Sequence, residues 1–364
     1  MKSSLQVSRP ADLSRWRAPA ASCWIVAVLL GALLTGLSAL PLAAVELRVK
    51  ALERRVEVNA MEYPWSAIGR VNAGGRAQCT GFLVGERHVV TAAHCLYDPL
   101  VGRWRGAIEL HFIAGYQRDR FILHSKVVSY SRPDDFVYVT APTLEAAAND
   151  WAVLTLADPL GRKAGWLGMK TIDSLMMSRI AGGDALLLQA GYRRDYAHIM
   201  TAGWGCQFEG NLQARRGLVH DCDVIQGDSG SPLLLYADGK IYAAGLHSID
   251  LVTREERHLA GVLSLSVFHP NGGRRDAVAA FSGTAVRWAP GSPPAADSEA
   301  AQIPLRTIDN LLKKLGYLTR SETPPSSGER ATALKSFLAE NGLAAKATRP
   351  SIEVLGQLLY ATRP

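Results

Sequence analysis

Gly227-Asp228-Ser229-Gly230-Ser231-Pro232 is the stretch on which the reading of this sequence turns. A serine between two glycines lies on backbone that can make a tight turn, and such a turn can aim the Gly227 and Ser229 amides at a developing oxyanion. A serine hydroxyl is a weak nucleophile until an imidazole takes its proton, and the imidazole needs a carboxylate to fix its tautomer and stabilise its charged form. Both partners lie upstream, in Thr91-Ala92-Ala93-His94-Cys95 and in Asn149-Asp150-Trp151-Ala152-Val153-Leu154. Taken singly, each segment has a plain structural reading: a packed histidine, a turn aspartate, a glycine turn. In the order His94, Asp150, Ser229 they point to covalent acyl chemistry, with no metal or organic cofactor required.

Around these segments, from Tyr63 to Trp288, short β-rich runs alternate with Gly, Pro, Asn and Asp; Cys79–Val84, His88–Thr91, Trp151–Leu156, Ala185–Ala190 and Pro232–Tyr236 are examples. That spacing predicts an all-β barrel or sandwich. Residues 289–302, beginning Ala289-Pro290-Gly291-Ser292-Pro293-Pro294, have no apolar periodicity and read as a linker. Beyond it, in 303–364, three helices are predicted: Ile308, Leu311, Leu312 and Leu315 before Gly316; Leu334, Phe337 and Leu338 before Gly342; and Ile352, Leu355, Leu358 and Leu359 after an N-cap at Ser351.

With 48% hydrophobic and 20% charged residues, the 364-residue chain is too apolar to be a disordered tail protein. Its net charge of +7 would suggest nucleic acid were it carried by the folded part. Instead residues 1–55 carry +5, residues 56–302 carry −2 and residues 303–364 carry +4. The central region has no basic stripe for a phosphate backbone, so nucleic acid is not an expected partner.

Between Ala18 and Leu47 the only charge is Glu46, and Lys2, Arg9, Arg15 and Arg17 precede the apolar run. Two readings stand: a cleaved export signal, or an uncleaved helix anchoring the chain in the inner membrane. Ala43 and Ala44 suit a cleavage site, whereas Leu42 fits it poorly. Either way the expectation is an exported protein, periplasmic or secreted, that meets the membrane only if the leader is retained. Apart from Cys23, four cysteines remain: Cys79, Cys95, Cys206 and Cys222. In an oxidising compartment an even set reads first as disulfides, and a loop of 16 positions suggests about 3 kcal/mol of stabilisation. A zinc site is the rival reading, disfavoured by the lack of C-x-x-C or H-x-x-x-H spacing.

Cys79-Thr80-Gly81-Phe82-Leu83-Val84, Val89 to Cys95, Asp150 to Leu154 and Gly227 to Pro232 together resemble the signature segments of the chymotrypsin/trypsin-like serine endopeptidases. The resemblance implies two packed antiparallel β-barrels over residues 56–288, with the three residues in the cleft between them and Cys79 bridged to Cys95. It implies that Ser248 hydrogen-bonds Asp150, and that the partners are protein or peptide substrates. The serine in Gly230-Ser231-Pro232 and the run Gly245-Leu246-His247 are similar to the bacterial glutamyl-endopeptidase (V8-like) branch. Two specificities follow. Asp223 resembles a carboxylate that selects Arg or Lys at P1, and His247 resembles a histidine that contacts an acidic P1. Each residue also has a plain reading, as a turn carboxylate and a packed strand residue. Arg54-Arg55-Val56 offers a cut before Val56, and the resemblance implies that the freed α-amino group would pair with Asp228 and order the oxyanion hole; the alternative is an exposed dibasic linker within the pro-segment, 1–55.

The C-terminal Leu315-Gly316-Tyr317-Leu318 and Phe337 to Leu343 resemble a peptidoglycan-binding-type three-helix domain. That implies a module able to hold the enzyme at the cell envelope, and a packing module is the other reading. The expectation is therefore an exported serine endopeptidase with a helical appendage. Its rivals are a catalytically vestigial envelope-binding protein on a protease fold, and an esterase or other acyl transferase using the same triad.

Overall fold

The structure is a computed structural model describing residues 55–75, 77–140, 142–212, 217–252, 258–269, 274–281, 291–294, 304–321, 323–342 and 350–361. The leader and Cys23 lie outside the described residues; among those described, no helix is long and apolar enough to cross a membrane.

Seventeen strands are described, in chain order β1 (Arg55–Glu57), β2 (Ile68–Ala73), β3 (Ala77–Leu83), β4 (His88–Thr91), β5 (Tyr97–Asp98), β6 (Arg103–Trp104), β7 (Leu110–Ala114), β8 (Leu123–Ser131) and β9 (Ala152–Leu156). The series continues with β10 (Gly168–Met169), β11 (Leu186–Gly191), β12 (Thr201–Cys206), β13 (Phe208–Leu212), β14 (Gly217–His220), β15 (Pro232–Ala237), β16 (Lys240–Val252) and β17 (His258–Ser264). The strands expected from the turn spacing form within a residue or two of where the sequence puts them. β2-β3-β4-β9-β8-β7 close into an antiparallel barrel. The second sheet runs β1-β12-β11-β15-β16-β17-β14-β13, with β10 parallel to β16. It stays open in its hydrogen bonding, β1 and β13 being its edges. The closed barrel and the curled second sheet are the two packed β units expected; the β1 edge is covered by a helix, which shields its unpaired backbone from wrong pairing.

Apolar side chains on the second sheet alternate between two cores. Leu186, Leu188, Leu234 and Tyr236 face the large core shared with the first barrel, while Leu187, Leu233 and Leu235 face a smaller one. Runs such as Leu233-Leu234-Leu235 are apolar throughout because both faces are covered. The smaller core is roofed by a helix, Ser174–Gly182, whose Asp173 cap accepts from the Met176 amide at 2.8 Å and which contributes Met176 and Ile180.

The three C-terminal helices form where predicted: α1 (Leu305–Leu315), α2 (Ser327–Glu340) and α3 (Ile352–Ala361). Gly316 ends α1 in the left-handed region, a Ser326–Glu329 capping box starts α2, and the Val354 amide donates to Ser351 Oγ at 3.1 Å. They do not stand apart on a tether. Ile308, Leu311, Leu312, Val354, Leu355 and Leu358 join the same core as the barrels, and the described residues from Arg55 onward fall within one compact unit. Trp65 Nε1 donates to Thr307 Oγ1 at 3.1 Å, and Asn310 Nδ2 donates to the Glu57 carbonyl of β1 at 2.9 Å. A short amphipathic helix gains most of its stability from packing its apolar face, and here α1 and α3 pack theirs on that shared core. The expected linker is pinned too, where described: the Trp166 amide donates to the Ser292 carbonyl at 2.8 Å, and Pro294 is buried.

Both disulfides form, Cys79–Cys95 and Cys206–Cys222. The sulfurs near His94 are thus bonded to each other and offer no thiolate to a metal.

Candidate active site

His94 sits in a short 3₁₀ turn, Ala93–Leu96, just after β4, and the Cys79–Cys95 bridge ties that turn to β3. Asp150 lies at the start of the segment leading into β9, which pairs with β4, so strand register carries the carboxylate to the imidazole. Its Oδ2 is 2.6 Å from His94 Nδ1, and its Oδ1 accepts the His94 backbone N–H at 2.8 Å. From the second sheet, Ser248 Oγ donates to Asp150 Oδ2 at 2.6 Å. Asp150 is buried, whereas the His94 side chain is 26% exposed and faces the cleft.

Burial alone would pull the His94 pKa down, but the Asp150 charge and hydrogen bond outweigh it and hold it above the ordinary value. Burial would likewise raise Asp150; the His94 charge and the hydrogen bonds from His94 and Ser248 prevail and hold it below the usual carboxylate range. The pair is therefore set for an imidazole that accepts a proton beside a carboxylate that stays ionised.

The serine turn is fastened to the same wall. Thr80 N–H donates to the Ser229 carbonyl at 2.9 Å, that carbonyl lies 3.9 Å from Cys95 Sγ, and Gly230 N–H donates to the His247 carbonyl at 2.9 Å. Ser229 is thereby brought against the disulfide beside His94. Gly230, at φ +80°, is packed so closely that a Cβ would lie 2.2 Å from the Thr80 carbonyl oxygen; Gly227, at φ +102°, would meet the Tyr192 carbonyl oxygen at 2.5 Å. Only glycine fits either position. The Asp228, Gly230 and Ser231 amides donate to the Ile225, His247 and Asp228 carbonyls. Among the described residues, no protein acceptor takes the Gly227 or Ser229 amide, the two donors expected for an oxyanion.

Beside His94 opens a cleft of about 160 Å³ whose walls include Phe136, Tyr138, Val139, Pro142 and Ala146. Tyr138 stacks on Tyr97 with ring centroids 4.6 Å apart, which stiffens that wall.

The specificity candidates fare differently. Asp223 is partly buried, and its Oδ2 lies 3.5 Å from Nη1 of Arg193, a side chain only 3% exposed. His247 is buried on β16, its N–H donating to the Ser231 carbonyl at 2.9 Å and its Nε2 3.1 Å from Asp250 Oδ1. Behind it His220, also buried, accepts the Cys222 amide on Nδ1 at 3.0 Å, and burial, followed by the nearby His247, pushes its pKa down to about 3.

The structure does not bring Val56 to Asp228. Val56 pairs with Ala202 inside the sheet, and the wholly buried Asp228 carboxylate is held by Arg55, with Nη1–Oδ2 at 2.9 Å and Nη2–Oδ1 at 3.1 Å. The expected pairing with a freed α-amino group is replaced, in the uncut chain, by one with a guanidinium. Sequence reasoning passed over Arg55, Arg193 and His220. The signal for Arg55 was its place one residue before Val56, where Arg-Arg reads as a processing site.

The family model described as Trypsin matches residues 54–268, more than half of the chain. The chain belongs to the trypsin family. Among curated relatives of this trypsin-family chain, glutamyl endopeptidase from Bacillus licheniformis is 25% identical over 205 residues, which are 55% of this chain and 58% of the relative. The chain thus spans less than two thirds of that relative's length. A solved structure of a Glu endopeptidase in complex with MPD aligns with a TM-score of 0.45 and 17% identity, covering 58% of this chain and 90% of the other.

Proposed function

We propose that this trypsin-family chain is a serine endopeptidase that hydrolyses peptide bonds through an acyl-enzyme. The observation that carries the proposal is the Ser248–Asp150–His94 chain of hydrogen bonds, next to a disulfide that the Ser229 carbonyl approaches to 3.9 Å, in a turn that leaves two amides without protein acceptors among the described residues. Ser229 Oγ attacks the scissile carbonyl as His94 Nε2 takes its proton, while Asp150 holds the Nδ1–H and stabilises the imidazolium. The Gly227 and Ser229 amides receive the oxyanion, and each such donor is worth about 3 to 4 kcal/mol in the transition state. His94 then protonates the leaving amine, and water, deprotonated by the same imidazole, releases the acyl group. The apolar cleft beside His94 takes a neighbouring side chain of the bound peptide.

For P1, an acidic residue is the better supported choice. That choice rests on the Bacillus licheniformis relative, which is called a glutamyl endopeptidase; Arg193, 3.5 Å from Asp223, is itself paired with Asp195 through both Nε and Nη2. Export is supported by the basic-flanked apolar leader and by two disulfides, which persist in oxidising compartments. Attachment to peptidoglycan through the C-terminal helices rests on the sequence resemblance; their docked faces support a brace for the second sheet at least as well.

Mass-spectrometric mapping of cut sites in a peptide library tests both levels. Cleavage after Glu or Asp, falling about a millionfold in Ser229→Ala, is the expected result. Cleavage after Arg or Lys would overturn the P1 assignment alone, and an unchanged rate in Ser229→Ala would overturn the triad.

A further inference from the structure

We propose that Arg55 is a built-in positioning residue for the oxyanion hole, so that the enzyme works with the Arg55–Val56 bond intact. The inference rests on the endopeptidase reading above and deepens it.

Asp228 stands between Gly227 and Ser229, the two residues whose amides lack a protein acceptor among the described residues, so the direction of its side chain bears on the peptide planes on either side. Arg55 grips that carboxylate with two parallel bonds, the geometry in which a guanidinium binds most specifically. Its side chain is 2% exposed, and the remaining donors are used as well. Nε donates to Thr201 Oγ1 at 2.9 Å and Nη2 to the Thr201 carbonyl at 3.0 Å; Nη1, which has two hydrogens, also lies 2.7 Å from Gln189 Oε1 and 2.8 Å from the Asp223 carbonyl, so one hydrogen is shared between two of its three acceptors. The Ile225 amide adds a bond to Asp228 Oδ2 at 3.1 Å. A buried ion pair is tolerated only when its lone pairs and protons are satisfied in this way, and removing one partner leaves an uncompensated charge.

The backbone argues the same way. Arg55, Val56 and Glu57 pair with Gly203, Ala202 and Thr201 of β12, and Val58 N–H continues the contact to the Met200 carbonyl. The Arg55–Val56 bond therefore lies within a paired strand, unable to enter a protease cleft as an extended segment. A cut there would also put Arg55 on the departing piece. Processing anywhere upstream of Arg55 leaves the device intact.

The test expresses the full chain with its own leader and a C-terminal affinity tag. The enzyme purified from it is labelled with a fluorophosphonate, and the intact mass of the labelled species is read alongside peptide turnover. Labelled, active chains that retain Arg55 are expected. Labelled chains that all begin at Val56 would overturn the inference while leaving the endopeptidase reading in place; chains that neither label nor turn over peptide, whatever their first residue, would overturn both. Arg55→Ala should lower kcat by about 10²- to 10³-fold with little change in KM, the loss typical of a missing oxyanion donor. Arg55→Lys, or added ethylguanidinium with Arg55→Ala, should restore part of it. A folded Arg55→Ala enzyme with wild-type kcat would refute the proposal. Should that variant not fold, the mass of the labelled wild-type species still decides.

Discussion

His220 gives the sharpest pH-dependent consequence of the fold. Its imidazole is fully buried at the end of β14, with Nε2 lacking a partner, and its pKa lies at about 3 against an ordinary 6.5. Below pH 6.5 the unfolded chain binds a proton there that the native state refuses, so stability falls with pH until the native group itself titrates. Each pH unit in that window costs about 1.4 kcal/mol, which makes a loss on the order of 2 kcal/mol between pH 7 and pH 5. His220→Asn removes the titration while keeping an oxygen able to accept the Cys222 amide. Urea unfolding at both pH values, in a Ser229→Ala background to suppress autolysis, gives the double difference; groups common to both chains cancel. The variant should lose about 2 kcal/mol less than its parent on going from pH 7 to pH 5. Parallel losses in the two chains would refute the reasoning.

Two further outcomes are expected. Asp150→Asn removes the charge that lifts His94, so the acidic limb of kcat/KM, where the imidazole must shed its proton, should move to lower pH, and kcat should fall on the order of 10⁴-fold; a limb that stays in place would show that another group sets it. Gly356→Ala in α3 would put a Cβ 2.1 Å from Cζ of the buried Tyr236 ring. Overpacking should cost about 1 to 3 kcal/mol, against about 1 kcal/mol gained in helix propensity, so a lower urea midpoint with kcat unchanged is predicted, and a raised midpoint would mean that α3 is not docked there.

The strands and helices were legible because their signals are local. Turn residues punctuate the β runs, and Gly316, Ser326 and Ser351 mark helix ends by their own chemistry. The Ser229 turn, His94 and Asp150 stood out in the sequence because the proposed acyl chemistry tolerates few residue types. What escaped depends on contacts distant along the chain. The docking of α1 and α3 could not be read from their amphipathic pattern, since an apolar face names no partner. Arg55 was misread for a related reason: a basic pair in a short segment looks exposed until Asp228, 173 positions away, is seen to neutralise one member of it. Arg193, which lies 3.5 Å from Asp223, likewise sits in a sequence context that carries no signal.

The most direct measurement is the site of covalent capture. Folded enzyme treated with a fluorophosphonate, digested and read by tandem mass spectrometry, should carry one adduct, on Ser229, and His94→Ala or prior denaturation should abolish it. An adduct on another serine, or equal labelling of Ser229 in the His94→Ala chain, would contradict the assignment of an imidazole-activated nucleophile.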